Sequence, residues 1–414
     1  MIKKLLPILG ITFVDIIVFS MLIPVLPYFV THFGASPFIV GVLFATFSLA
    51  GLIAAPIWGN LSDRLGRKTV LIISQIGATI SWAMMAFAPN IAVVFVARIL
   101  EGASGGNISI TQAYVADVVE PKDRGRAFGL IGAMFGAGMV FGPAGGGLLF
   151  SRFGFAAPFL AAAFLQFVTV LLTVFLLPES REKPAEEDRV RMKDVFECLR
   201  RPGLSSIMYQ KLALSLCLYG WFSVIALYLA GQLHFSLTDT DYFFSGFAAF
   251  NVLCNAVLVG KISSAVGDRA MSNIGLTCLA GAFCTVPFIH NVYALIPLMM
   301  AFAFGMALAN TGITALISNK ASDREQGTVL GVSSSLDSLS GTISPPLSTG
   351  LLSHYGSRVA GAESLVFSVV ALGMGLFAAR GETSASAPRY AEGGETPSPL
   401  GLAGEMETVE IADV

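Results

Sequence analysis

Residues 59–71 read GNLSDRLGRKTVL. Asp63, Arg64, Arg67 and Lys68 fall within six positions of a chain that is only 13% charged. The stretches on either side are almost wholly apolar. Gly59 and Gly66 bracket the charges, and glycine permits the backbone conformations that a tight turn needs. The pattern is a short polar turn joining two long apolar runs.

Composition sets the class. Of 414 residues, 55% are hydrophobic, whereas soluble domains carry about 25% charge around one compact core. The excess of apolar surface predicts a membrane-embedded chain. A net charge of −2 leaves no basic excess for nucleic acid. The five cysteines show neither paired nor CxxC spacing and read as buried thiols or, for Cys198, part of a polar linker. No metal site and no cofactor is expected.

A helix needs about 20 mostly apolar residues to cross the bilayer. Such runs occur at 5–30, 37–58, 69–88, 91–117, 127–150 and 155–177, then at 206–231, 238–260, 271–289, 291–317, 327–352 and 361–380. The expectation is an all-α polytopic membrane protein: twelve transmembrane helices as two six-helix bundles. The N-terminal bundle covers 1–177 and the C-terminal bundle 206–381. A polar cytoplasmic linker spans 178–205, and the Pro/Gly/Ser-rich acidic tail 382–414 is expected to be disordered. Assigning the N-terminus and the even-numbered gaps to the cytoplasm places 21 of the 25 Lys and Arg residues inside, which predicts cytoplasmic termini and, most simply, a plasma (inner) membrane.

The chain also repeats. RGRAFG (124–129) matches QGTVLG (326–331), Gly142-Pro143 falls on Ser344-Pro345, and SRFG (151–154) on SHYG (353–356), all at an offset of 202. Gly59 and Gly66 recur as Gly260 and Gly267 at 201. A duplicated six-helix unit is the parallel repeat of a two-bundle transporter.

With that repeat in place, GNLSDRLGRK resembles the G-x-L-x-D-R-x-G-R-K loop motif between spans two and three of the major facilitator superfamily. Gly138-x-x-x-Gly142-Pro143-x-x-Gly146-Gly147 is similar to the fifth-span motif of its drug/proton antiporter branch. Arg98-Ile-Leu-Glu101-Gly102 resembles R-x-x-Q-G, and Asp15 followed by Pro24-Val-Leu-Pro27 looks like the tetracycline-efflux group. The third span has Ser81 and Trp82 where tetracycline pumps carry an acid. The resemblance covers 5–380. It implies a secondary transporter whose Gly59, Asp63, Arg64, Gly66, Arg67 and Asp117 form a conformational gate, with Asp63, Arg67 and Asp117 as an ion network. It also implies that Gly138, Gly142, Pro143 and Gly146 serve helix packing.

The intramembrane polar residues are the candidate proton and substrate sites. Asp15 lies near mid-membrane, where a carboxylate costs about 3 kcal/mol or more unless it faces water, is paired or is protonated. It is either a hydrogen-bonded interface residue or a cavity site that takes up and releases a proton. Asp337 lies at similar depth among serines. Arg98 and Glu101, three apart, share a helical face with Gly105 and Gln112; Asn107 is a further cavity donor. Lys211, near the end of the seventh span, is expected to snorkel to the surface. Gly102-Ala103-Ser104-Gly105 satisfies GxSG, yet no histidine lies within a span to act as base, so no enzyme is expected. The function expected is a proton-coupled antiporter exporting a small lipophilic or cationic compound by alternating access. The alternatives are a proton-coupled importer or facilitator of a metabolite, or a transport-inactive sensor or scaffold. Partners are then a small-molecule substrate, protons and the lipid bilayer, with the chain a monomer.

Overall fold

The computed structural model describes residues 2–105, 107–119, 124–180, 200–201, 203–321 and 326–385. Most of the linker, Cys198 and the acidic tail lie outside them. The described elements are helices: α1 Ile2–His32, α2 Pro37–Leu65, α3 Arg67–Ala86, α4 Ile91–Ala103, α5 Asn107–Val118, α6 Arg124–Phe153, α7 Ala156–Leu176, α8 Ser205–Leu233, α9 Leu237–Leu253, α10 Gly260–Thr285, α11 Val292–Lys320, α12 Gln326–Tyr355 and α13 Ala362–Ala385.

Nine segments among the described residues are long and apolar enough to cross a membrane on composition alone. Three departures from regular helices account for the difference from twelve. The fourth span is split into α4 and α5, each too short to qualify. The eighth and ninth spans run together through a π-helical stretch, Cys254–Val259, into one 52-residue segment. The eleventh, α12, is rich in serine.

Duplication shows in the backbone. Gly66, between α2 and α3, has φ 94° and ψ 152°; Gly267, inside α10, has φ 80° and ψ 159°. Both lie in a region essentially closed to residues with a Cβ. Asn90 caps α4 by accepting from Val93 N at 3.2 Å, and Asn291 caps α11 by accepting from Ala294 N at 2.8 Å. These caps satisfy amides that would otherwise be orphaned at each helix start.

Apolar side chains segregate by half. The largest core cluster runs from Leu204 to Ala371. The first half has its own two clusters, and one of these takes in Leu237 from the second half. Outward faces carry exposed Phe164, Phe175, Phe288 and Phe377, a surface suited to lipid. Cys284 is exposed there; an apolar run facing lipid reads like one facing a core, so its expected burial does not hold.

The halves meet along two seams, α2 with α12 and α6 with α9. Small residues make both. A Cβ on Gly41 would strike Thr349 Oγ1 and the Pro345 carbonyl, one on Gly341 would lie 2.5 Å from Ser48 Oγ, and one on Gly136 2.8 Å from Val252 Cγ2. Far from the 59–71 loop, the Tyr28 hydroxyl lies 2.7 Å from Thr240 Oγ1 and donates to the Phe235 carbonyl at 3.0 Å. The halves touch at mid-height and at the end far from the loop.

Candidate functional site

The fourth span breaks at Ser104-Gly105, one turn beyond Glu101. Glycine in a helix interior costs about 1 kcal/mol relative to alanine, and Gly102, Gly105 and Gly106 crowd this place. Carbonyls freed inside a bilayer must find donors. Trp58 Nε1 donates to Ala103 O at 2.5 Å, and Ser74 Oγ donates to Ser104 O. The helix resumes at Asn107, beside the carboxyl of Asp15.

Asp15 is half-buried in α1. Its Oδ2 accepts from Asn107 Nδ2 at 3.2 Å, and its Oδ1 from Gln166 Nε2 of α7 at 3.0 Å. Behind these amides, Ser74 Oγ lies 2.6 Å from Asn107 Oδ1, its one proton shared between that oxygen and Ser104 O, and Gln166 Nε2 also donates to Thr169 Oγ1 at 3.0 Å. Four helices thereby converge on one carboxyl. The donors are neutral amides, so its charge has no cationic partner among the described residues.

The other two candidate carboxyls are paired. Arg98 Nη1 lies 2.5 Å from Glu101 Oε2, both side chains nearly inaccessible. The guanidinium carbon stands 4.3 Å from the centre of the Phe47 ring and 6.0 Å from that of Phe44, within cation–π range. In the second half, Lys211 Nζ is 3.1 Å from Asp337 Oδ1 and 3.2 Å from Asn310 Oδ1, and Ser215 Oγ donates to Asp337 at 2.5 Å. Lys211 therefore does not snorkel. It is buried, and its expected route to the surface is replaced by an ion pair across α8, α11 and α12.

Gln112 is not brought to Arg98 and Glu101. The break places it on α5, where it is exposed, and so off the helix that carries Arg98 and Glu101. Ser104, the residue of the GxSG match, serves the break through its carbonyl. Ser81 is spent on packing, its hydroxyl donating to Ala97 O at 2.7 Å.

At the loop, Arg67 Nε lies 3.2 Å from Asp117 Oδ2 and Arg67 Nη1 donates to Ser62 Oγ at 2.6 Å. The Asp63 side chain lies outside those described. Glu179, at the start of the linker, accepts from Arg67 N at 2.8 Å and from Lys68 N at 3.2 Å. Arg64 is exposed beside a shallow cleft lined by Pro56, Ile57 and Leu61. These contacts join the first half to the start of the linker.

On α6, a Cβ at Gly138 would lie 2.6 Å from Ile16 Cγ2, one at Gly142 2.6 Å from the Ile17 carbonyl, and one at Gly146 2.6 Å from Met21 Cγ. Three glycines thus seat α6 against α1. Pro143 lies inside α6, which continues through it. Sequence reasoning missed Gln166, Glu179 and the pairing of Lys211. A glutamine within the apolar run AAFLQFVTVL was a usable signal for the first; the other two needed the fold.

The chain matches the family model described as Major Facilitator Superfamily over residues 8–252 and 212–406. It is 30% identical over 356 residues to the tetracycline resistance protein, class C, of Escherichia coli, covering 84% of this chain and 89% of that protein. It is 27% identical over 368 residues to multidrug resistance protein 2 of Bacillus subtilis (strain 168), covering 86% and 90%. Among solved structures, it shares the fold of the human organic anion transporter MFSD10 (TETRAN), with a TM-score of 0.70 at 20% identity over 90% of this chain and 99% of that one.

Proposed function

The chain belongs to the major facilitator superfamily, and from that premise we propose that this multi-pass membrane transporter is a proton-coupled antiporter. It exports a small lipophilic or cationic compound by alternating access. One observation carries the reading: of the three intramembrane carboxyls considered, Asp15 is half-buried and held only by the neutral donors Asn107 and Gln166. Glu101 and Asp337 are already neutralised by Arg98 and Lys211. A proton arriving at Asp15 changes the net charge of the cavity wall, whereas a cationic substrate arriving there replaces it. Either occupant satisfies the site, and that competition is what exchange requires.

The similarity to tetracycline and multidrug resistance proteins supports export of small molecules. Because Ser81 is engaged in packing and no acid stands beside it, tetracycline is not the substrate we favour. The distribution of Lys and Arg supports cytoplasmic termini in a plasma (inner) membrane. The loop end then faces inward, and the close α6–α9 contact at the opposite end supports reading this as a state closed to the outside. The 59–71 loop, braced by Arg67 on Asp117, acts as a conformational gate when the halves rock about the midplane. One chain contains both halves and their pathway, which supports a monomer.

The test is transport in proteoliposomes under an imposed proton gradient, with a panel of lipophilic cations and weak acids. Substrate-dependent proton release that Asp15→Asn abolishes is the expected result. Transport that needs no gradient and survives Asp15→Asn overturns the antiporter reading in favour of a facilitator.

A further inference from the structure

Asp241 is fully buried in the second turn of α9, and both carboxyl oxygens lack a hydrogen-bond partner among the described residues. It sits on the α6–α9 seam between the halves, at the end where they touch. Gly147 of α6 faces it: a Cβ there would lie 2.6 Å from Asp241 Oδ2 and 2.7 Å from its Cβ. The titratable and charged groups on the elements around this end give it no ligand. Tyr28 of α1 is engaged by Thr240 and the Phe235 carbonyl. Asp239 completes the capping box with Ser236. His32 of α1, Arg152 of α6, His234 after α8 and Tyr293 of α11 are exposed.

An ionised carboxylate sealed in such a place has lost its water and gained no donor, which is strongly unfavourable. The neutral acid fits the same space at far lower cost. In a permanent interface an apolar residue of similar size would serve better. In an interface that opens, the acid is dry in one state only, and the difference between the states becomes a dependence on pH.

We propose that Asp241 is a proton-operated catch on the outer gate. The closed outer face holds it as the neutral acid; when α6 parts from α9, water reaches the carboxyl, its O–H bond breaks and the proton passes to external water. Acid outside holds the gate shut and alkali outside lets it open. The proton leaves on the side from which it came, so it is not counted in the exchange at Asp15. The catch rests on the orientation given under the proposed function, but not on antiport.

The test reads the outer gap directly. Spin labels at Ser151 on α6 and Thr238 on α9, in the full chain with its cysteines replaced and reconstituted in nanodiscs, report the distance by pulsed electron resonance from roughly pH 5 to 9. An Asp15→Asn background silences the proposed coupling site. The ratio of open to closed is expected to rise with pH by up to about tenfold per unit, the limit for one linked proton. With Asp241→Asn added, the short distance is expected at every pH. Gly147→Ala, which drives a methyl group into Asp241, is expected to give the long distance throughout. A pH response that persists in Asp241→Asn, or that Asp15→Asn alone removes, overturns the catch. Should Asp241→Asn fail to fold, an unaltered response in Gly147→Ala overturns it equally. Transport unaffected by Asp15→Asn defeats the antiport reading and leaves the distance measurement to judge the catch.

Discussion

Replacing Gly66 by alanine separates two contributions that meet at the 59–71 loop. With φ 94° and ψ 152°, the backbone sits where a residue with a Cβ costs about 1–3 kcal/mol. The added methyl group would also lie 2.6 Å from Glu179 Cδ, forcing away the carboxylate that accepts from Arg67 N and Lys68 N. Glu179 is exposed, so losing its contacts adds only about 1 kcal/mol. Gly66→Ala is therefore expected to cost about 2–4 kcal/mol. Gly267 is the internal control: φ 80° and ψ 159°, with no atom within 4 Å of an added Cβ. Gly267→Ala should pay the backbone cost alone, about 1–3 kcal/mol. Equilibrium unfolding by SDS titration in mixed micelles reads both, and adding Glu179→Ala to each closes a cycle. A coupling of about 1 kcal/mol between positions 66 and 179, and none between 267 and 179, is the expected outcome. Equal losses at the two glycines within about 0.5 kcal/mol would remove Glu179 from the account. A loss below about 1 kcal/mol at Gly66 would refute the claim that this turn requires glycine.

Removing one member of the buried Arg98–Glu101 pair, by Arg98→Met or Glu101→Leu, is expected to cost about 3–5 kcal/mol, because the partner stays buried and charged. The double variant should recover most of that loss in the same titration, and failure to recover would mean the pair does more than neutralise itself. Lys211→Ala leaves Asp337 with Ser215 as its remaining described donor and without a cation. Transport of cationic substrates should strengthen relative to anionic ones, measured as the ratio of their KM values; Lys211→Ala with Asp337→Asn should return the ratio to that of the parent.

Charge placement and glycine spacing carried much of the fold. The run from Asp63 to Lys68 between two apolar stretches marks a turn, and the recurrence of its flanking glycines 201 residues later fits the shared backbone of Gly66 and Gly267. What was hidden depended on contacts between distant segments. Lys211 lies in the second turn of α8, where a lone lysine would reach the surface, yet Asp337 is 126 positions away in sequence and 3.1 Å away in space. The break after Ala103 was present as a cluster of glycines, but hydrophobicity alone reads 91–117 as continuous; only the donors from Trp58 and Ser74 make the interruption tolerable. Asp241 stands in the polar run TDTD at a helix start, and nothing local distinguishes an acid facing water from one pressed against Gly147.

The depths of Asp15 and Asp241 bear on how membrane voltage reaches this protein. Asp15 is the fourteenth residue of a 31-residue helix, so it lies about 20 Å along its axis, close to half-way across. A charge moved through the full potential is worth about 2.3 kcal/mol per 100 mV, and one entering to Asp15 from either face feels about half of that. Asp241 is the fifth residue of α9, only about 6 Å from the helix start, and feels little of the field. Under the proposed orientation and roles, membrane voltage acts mainly on Asp15 and external acidity mainly on Asp241, so a cell that changes one without the other would shift loading and gating independently.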